Sequence, residues 1–444
     1  QEYHVQQFRK VALIRPSSLR ALCVESKIHR RNPRMRQHKT VYGCSKDASE
    51  MSFMVMRSRR RCSLLIVRFS GELIGNLVHF PHSPHAPMST TLPVTFFCPD
   101  HDELARIDGP PIGDTVPYWT VPHPARFRAW ITQTVMRLQE SGYEVAAEPV
   151  LPEEGIVVLL PEPHIRDAFM RQFGTRHRSL LIVTVRADVV GFRSPIADAE
   201  IVQNGYFADE DRVFDVPHWP QPGLVPRNPD REASIQTIAF KGDRGNLHPD
   251  LFSERFSAFL KRRDIEVRLE ETVDRHTPQP WHHYEDVDVL IAVRKPWHRG
   301  DLFHNKPASK LINAWHAGVP ALLGPEYAFR ELREDPLDYF EVETDTDAIA
   351  ALTRLLDTPN LYRAMVEHGR KRAQAFTPER ITERWAELLF HKIPRIAETS
   401  SFSLSRTLPL PMRQAWNLSI LPPTPLEARK MAGFTYRKLR RLAK

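Results

Sequence analysis

No run of the chain reaches the roughly 18 apolar residues that a membrane-crossing helix needs. The nearest approach, Cys62 to Phe69, is far too short and is flanked by arginines. Cysteine is scarce: Cys23, Cys44, Cys62 and Cys98 are the only four in 444 residues. No two of them form a Cys-x-x-Cys pair or stand at metal-ligand spacing, so neither a disulfide framework nor a structural zinc site is expected. The chain reads as one of a reducing, cytoplasmic compartment. No period of solenoid type recurs either.

What is present begins with uneven charge. The sequence pI of about 9.3 invites a nucleic-acid reading. Residues 1–90, however, hold 16 Lys and Arg against 5 Asp and Glu, which leaves 46 against 49 in all the rest. The body of the protein is therefore close to neutral. The excess sits in runs such as "HRRNPRMRQHK" and "MVMRSRRRC", with a second patch at the C-terminus in "PLEARKMAGFTYRKLRRLAK". Residues 1–90 read as an irregular, disordered basic extension, closed by the linker-like "HFPHSPHAPMSTT". Upstream sequence read through to a true start at Met88 would account for it. A basic arm for nucleic acid or anionic lipid is the functional alternative. The C-terminal patch reads as a weakly amphipathic basic helix, able to rest on an anionic membrane face or to stay solvated.

From residue 91 the pattern alternates. Apolar strand candidates stand at Pro93–Phe97, "YEVAA", "GIVVLL" and "SLLIVTVRAD", with helices at Arg126–Ser141 and "HIRDAFMRQF" between them. Strands apolar on both faces that alternate with helices predict a doubly wound parallel sheet. The Pro-rich stretch Val216–Asp230 is a stiff connector, and a second βα series follows it. Its strands are expected at Ile235–Asp243, "IEVRLE", Val287–Val293, Val319–Leu323 and "YFEVET". Its last helix opens with Thr377 as N-cap and Pro378 at the first helical position. Two Rossmann-like α/β domains are the expectation, over 91–225 and 226–392, with a Pro/Ser-rich tail over 393–444 and a ligand cleft between the sheets.

One stretch of the second series carries candidate chemistry: "HNKPASKLINAWHAGVPALLGPE" from His304 to Glu326. A helix from about Lys306 to Ala317 would place Lys306, Lys310 and Asn313 within about 60° of one another. Leu311, Ile312 and Trp315 would face a sheet. Two lysines near a helix N-terminus oppose the dipole, and a bound polyphosphate would offset that repulsion. Arg294-Lys295 ends the preceding strand, and Gly324-Pro325-Glu326 ends the next one. A solvated helix face is the plain alternative.

This stretch resembles the donor-binding motif of GT-B glycosyltransferases, which have two Rossmann-like domains. The likeness covers about 226–390 by motif, and 93–225 by domain order and strand pattern. Many members carry Glu-x7-Glu before the Ala/Gly-x-Pro step. Here those two places are Asn305 and Asn313, while Glu326 and Glu334 show the same spacing on the far side of the step. The resemblance implies a Lys/Lys/Asn variant in which Lys306, Lys310 and Arg294 meet the diphosphate of a nucleotide sugar. Asn313 would meet a ribose hydroxyl, Glu326 a sugar hydroxyl, and Lys241-Gly242 the donor phosphates. It also implies that Trp385 on the last helix packs back on the first domain. An inverting enzyme would need a base on the first domain. Asp188 at the end of the fourth strand is the first candidate, with Asp100 and His101 after the first strand as rivals; each could equally be a loop former. Neither a cofactor nor a metal is expected, since Asp286-Val287-Asp288 runs straight into a strand and reads as structural. The expected reaction is sugar transfer from the nucleotide donor to a glycan, a lipid-linked sugar or another hydroxyl acceptor, as in polysaccharide biosynthesis. The expected place is the cytoplasm, with membrane contact confined to the basic terminal helix and no nucleic-acid partner. The rival readings are a basic-armed binding protein and a sugar-nucleotide epimerase of the same architecture.

Overall fold

The computed structural model describes residues 92–173, 179–188, 194–209, 211–271, 274–295, 303–399, 412–414 and 416–417, together with the backbone of five strands between Leu22 and Ile74. Those strands are β1 (Leu22–Ser26), β2 (Lys39–Lys46), β3 (Ser49–Arg57), β4 (Ser63–Phe69) and β5 (Glu72–Ile74), and they pair antiparallel in sequence order. Residues 1–89 are a unit by themselves, and residues 90–444 form the other. The basic runs lead one to expect irregular chain here. The strands instead follow stretches such as Ser63–Phe69, whose Leu-Leu-Ile-Val centre suits a ladder. The linker-like stretch 79–91 and the basic C-terminal stretch 425–444 lie outside the described residues.

The second unit holds two parallel sheets, as the alternation predicts. The first contains β6 (Val94–Phe97), β7 (Val145–Glu148), β8 (Glu154–Leu159), β9 (Ser179–Val185), β10 (Ala199–Val202) and β11 (Val213–Asp215), in the order β11-β10-β9-β8-β6-β7. Every pair in it is parallel. Phe96, Phe97, Ile156 to Leu159 and Ile182 are fully buried, which is why these strands read as continuous apolar runs. The two short strands β10 and β11 at one side of this sheet were not read from sequence, because three or four residues are too few to show a period.

The second sheet contains β12 (Thr237–Gly242), β13 (Glu266–Glu271), β14 (Val289–Ala292), β15 (Ala321–Leu323) and β16 (Phe340–Glu341), in the order β13-β12-β14-β15-β16, again all parallel. In both sheets the first strand lies between the second and the third. The strand order therefore reverses there, and a crevice opens beyond the carboxyl ends.

Helices cover both sheets. In the first domain they include α1 (His101–Ile107), α2 (Gln133–Glu140) and α3 (Pro163–Phe173). The single helix expected over Arg126–Ser141 is one helical segment with a widened turn at Arg128–Thr132 ahead of α2. Its expected apolar face, Trp130, Ile131, Val135 and Leu138, is buried. The second domain has α4 (Glu254–Lys261), α5 (Ser309–Ala317), α6 (Tyr327–Glu331), α7 (Asp345–Asp357), α8 (Pro359–Ala373) and α9 (Pro378–Ala386). Thr377 caps α9 through the Arg380 N–H, and Thr344 and Asp347 form a capping box on α7.

The last helix leaves its own domain. Ile381, Trp385, Leu388, Leu389 and Ile393 join the core under the first sheet, with the Trp385 ring 6.4 Å from that of Phe96. The tail then contributes Arg413, buried at 2% exposure, which donates to the Leu180 carbonyl at 2.8 Å and to Asp198 Oδ2 at 2.6 Å. Asp288 behaves as a structural carboxylate. It is fully buried and accepts from the N–H groups of Gln236 at 2.7 Å and Thr237 at 2.9 Å. Arg227 and Arg231 also bond to it. Burial pushes its pKa up, and these partners pull further, leaving it below the usual carboxylate value. Among the described residues no helix is long and apolar enough to cross a membrane.

Candidate active site

The carboxyl ends of the two sheets meet through hydrogen bonds and one ion pair. From the first sheet, β9 runs into Asp188, β10 into Gln203 and Asn204, and β11 into the connector that carries His218. From the second, β12 ends at Gly242, β14 is followed by Arg294, and β15 by Gly324-Pro325-Glu326. Lys306 spans the gap: its Nζ lies 2.6 Å from Asp188 Oδ1, with the two side chains 24% and 41% exposed. The end of the fourth strand and Lys306 thus stand side by side across the crevice.

The helix does not begin where its residues first suggest. α5 starts at Ser309, with Ala308 in the N-cap position and no side-chain cap. Lys306 lies ahead of it, in a turn closed by the Lys306 N–H on the Phe303 carbonyl at 2.8 Å. Stepping 100° per residue from Lys306 therefore places nothing. Its direction comes from the turn, while Lys310 alone of the two lysines lies in the first helical turn.

Lys310 is half-buried and donates to the Lys241 carbonyl at 2.6 Å, with its Nζ 5.7 Å from the centre of the Phe240 ring. Burial first, then the charge on Arg294, brings its pKa down to about 8. Gly242 makes room for it. With φ at +147°, its backbone suits glycine, and a Cβ there would stand 3.2 Å from Lys310 Nζ. Arg294 pairs with Glu326 through NH1, and its buried Nε has no hydrogen-bond partner among the described residues. Glu326 is 1% exposed. Burial pushes its carboxyl up, opposed by the charges of Arg294, Lys310 and Lys306. Although Glu326 occupies the N-cap position of α6, it makes no cap hydrogen bond. Its side chain belongs to Arg294. Three cations and two carboxylates thus share one crevice in the second sheet's reversal region.

Other residues named from sequence are committed elsewhere. Lys241 Nζ, 4% exposed, bonds Glu270 and the carbonyls of Pro280 at 2.9 Å and His283 at 2.7 Å. All three of its donors are used, so only its backbone carbonyl faces Lys310. Asn313 Oδ1 accepts from the Gln221 N–H at 2.9 Å and so ties α5 to the connector. Asp100 caps α1, accepting from the N–H groups of Asp102 and Glu103, and His101 is the exposed first residue of that helix. Among the described residues, no hydrogen bond or ion pair links either of them to Lys306.

Three polar residues at the first sheet's edge escaped the sequence reading. Gln203 and Asn204 sit in "VQNG" after a strand too short to notice. His218 is hidden in the Pro-rich connector, where proline was the louder signal. Its Nδ1 lies 2.6 Å from the Trp219 carbonyl, so Nδ1 carries the proton and Nε2 keeps its lone pair. Burial holds its pKa below the ordinary histidine value, and it stands near enough to Asp188 and Lys310 to feel both charges.

No protein-family model and no curated protein matches the chain. Among solved structures it is similar to a sucrose-phosphate synthase from Thermosynechococcus elongatus, with 12% identity, 67% of this chain and 98% of that one covered, and a TM-score of 0.43. A glycosyltransferase from Rickettsia africae gives 10% identity, 70% and 100% covered, and a TM-score of 0.41. Anabaena HepE in complex with UDP-glucose gives 10%, 67% and 99%, and 0.39. These neighbours are glycosyltransferases of the GT-B type. At such scores the likeness assigns no role to any residue of this chain.

Proposed function

We propose that the protein is a glycosyltransferase that moves a sugar from a nucleoside-diphosphate sugar to a hydroxyl of a glycan or lipid-linked acceptor, without a divalent metal. The observation that carries this reading is the gathering of Arg294, Lys306 and Lys310 at one sheet edge, opposite Asp188 at the edge of the other. In this reading the donor diphosphate lies against the three cations. Glu326, held by Arg294, accepts from a sugar hydroxyl.

As the bond between the sugar C1 and the diphosphate oxygen breaks, its electron pair leaves with the diphosphate. Fixed positive groups in a half-dry crevice stabilise that growing charge more than water would. The acceptor oxygen forms the new bond to C1 and loses its proton to a base on the first domain. Asp188 is the first choice. His218 Nε2, neutral and without a protein hydrogen bond among the described residues, is the second.

The test is a thermal-shift and transfer assay with UDP-, GDP- and ADP-linked sugars, with a CMP-linked sugar as the monophosphate control. Stabilisation by at least one diphosphate donor, lost in Lys306→Ala and Lys310→Ala, is the expected result. A folded protein that none of them stabilises would sink the reading. Of Asp188→Asn and His218→Gln, the variant that removes the base loses about 100- to 10,000-fold in kcat while still binding UDP.

A further inference from the structure

The turn that aims Lys306 is held from the first domain as well as by its own Lys306 N–H on the Phe303 carbonyl. Gln203 and Asn204, at the end of β10, are 5% and 4% exposed and reach across the crevice to it. Asn204 Nδ2 donates to two carbonyls of the turn, His304 at 2.8 Å and Lys306 at 3.0 Å. Its Oδ1 is fixed in turn by the Tyr206 N–H at 3.1 Å, which settles the orientation of the amide. Gln203 Nε2 donates to the Asn305 carbonyl between them. Its Oε1 accepts from the Asp188 N–H at 2.9 Å. Asp188 adopts a left-handed backbone, with φ at 57°, and the Gln203 amide oxygen satisfies its N–H there. The two neighbouring amides therefore grip both ends of the Lys306–Asp188 pair.

We infer that Gln203 and Asn204 are positioning residues for the diphosphate, holding the turn at residues 303–306 so that Lys306 meets its anion only when the two sheets are clamped together. This inference rests on the donor site proposed above. Its consequence is that a first-domain contact sets donor affinity, although the cations themselves stand on the second domain. A diphosphate arriving at Lys306 competes with Asp188 for the ammonium. The clamp keeps the turn in place while that exchange occurs. Buried amides suit this role because each lost hydrogen bond leaves carbonyls in a dry place, which makes one arrangement of the turn strongly preferred.

The experiment measures UDP, GDP and ADP binding by calorimetry, and donor KM and kcat, in the full chain. Asn204→Ala should weaken the bound diphosphate at least about 10-fold and raise donor KM in proportion, with kcat changed less than about threefold. Gln203→Met, which keeps volume and adds no charge, should act in the same direction and serves as the second variant should Asn204→Ala not fold. In the Lys306→Ala background, either change should add nothing, because both act through that lysine. Glu331→Ala breaks another cross-crevice bond, which Glu331 Oε1 accepts from the Gly205 N–H at 2.8 Å without touching the turn. It should leave affinity unchanged. Wild-type affinity in both amide variants, alongside lost affinity in Lys306→Ala, would overturn the inference. So would losses that add to that of Lys306→Ala. Failure of the wild-type chain to bind any of the three diphosphates would instead overturn the donor site itself.

Discussion

Lys310 shows best how one side chain's surroundings set its chemistry. A lysine on an open helix face titrates near 10.4. Here the helix lays it against Phe240 and beneath Arg294, and its pKa falls to about 8. The sign of the effect follows. Between about pH 8 and the unfolded value the native chain binds fewer protons than the unfolded one, so Lys310's share of stability rises with pH. Diphosphate binding runs the other way, since it needs the ammonium. UDP affinity should therefore drop between pH 7 and 9 in the wild type. Lys310→Met, charge-free and of similar length, should flatten that slope, and calorimetry at three pH values reads the difference. At the same scale, Gly242 is more than a turn residue: its missing Cβ is space that Lys310 occupies. Lys241, one position earlier, shows the opposite outcome. The sequence offers it as a phosphate ligand, and the structure uses it as the centre of a buried network.

At the scale of elements, α9 packs into the core of the domain that precedes its own. Trp385 is fully buried among first-domain residues although its helix follows the second domain in the chain. Replacing it with Ala should destabilise by about 3–5 kcal/mol through the cavity left behind. Trp385→Phe should cost much less, because among the described residues the indole N–H it removes has no hydrogen-bond partner. Urea unfolding followed by circular dichroism distinguishes the two, and equal losses would contradict this account of the packing. The Thr377-Pro378 start of this helix, the capping box on α7 and the apolar strands were all legible in the sequence, because caps and apolar runs are local signals. The start of α5 was not. Pro307 and Lys306 look like a first turn, yet the chain is held outside the helix by carbonyl contacts to Gln203 and Asn204, about a hundred residues away in sequence.

At the scale of the whole molecule, the described side chains of residues 90–444 gather into two hydrophobic cores. A chain beginning at Thr90 should therefore keep its Tm to within about 3 °C, the shift that roughly 1 kcal/mol makes in a domain of 150–250 residues. It should also keep its response to nucleoside diphosphates. A scanning-calorimetry trace that broadens or drops by tens of degrees would show that residues 1–89 support the rest. The near-neutral charge of the body points the same way: the high pI is a property of the ends, and the candidate site lies in the part that does not carry the excess.

By itself the sequence determined the βα alternation, the break at the Pro-rich connector, the apolar faces and the two lysines on either side of a helix start. Each of these is written in neighbouring residues, where periodicity and turn chemistry act. Only the tertiary structure decided which polar groups meet. It set Lys306 on Asp188, committed Lys241 and Asn313 to other partners, and brought in Gln203, Asn204 and His218. The physical reason is that a charged or amide group bonds to whatever donor or acceptor burial brings within about 3 Å, and that partner is fixed by how two sheet edges face each other.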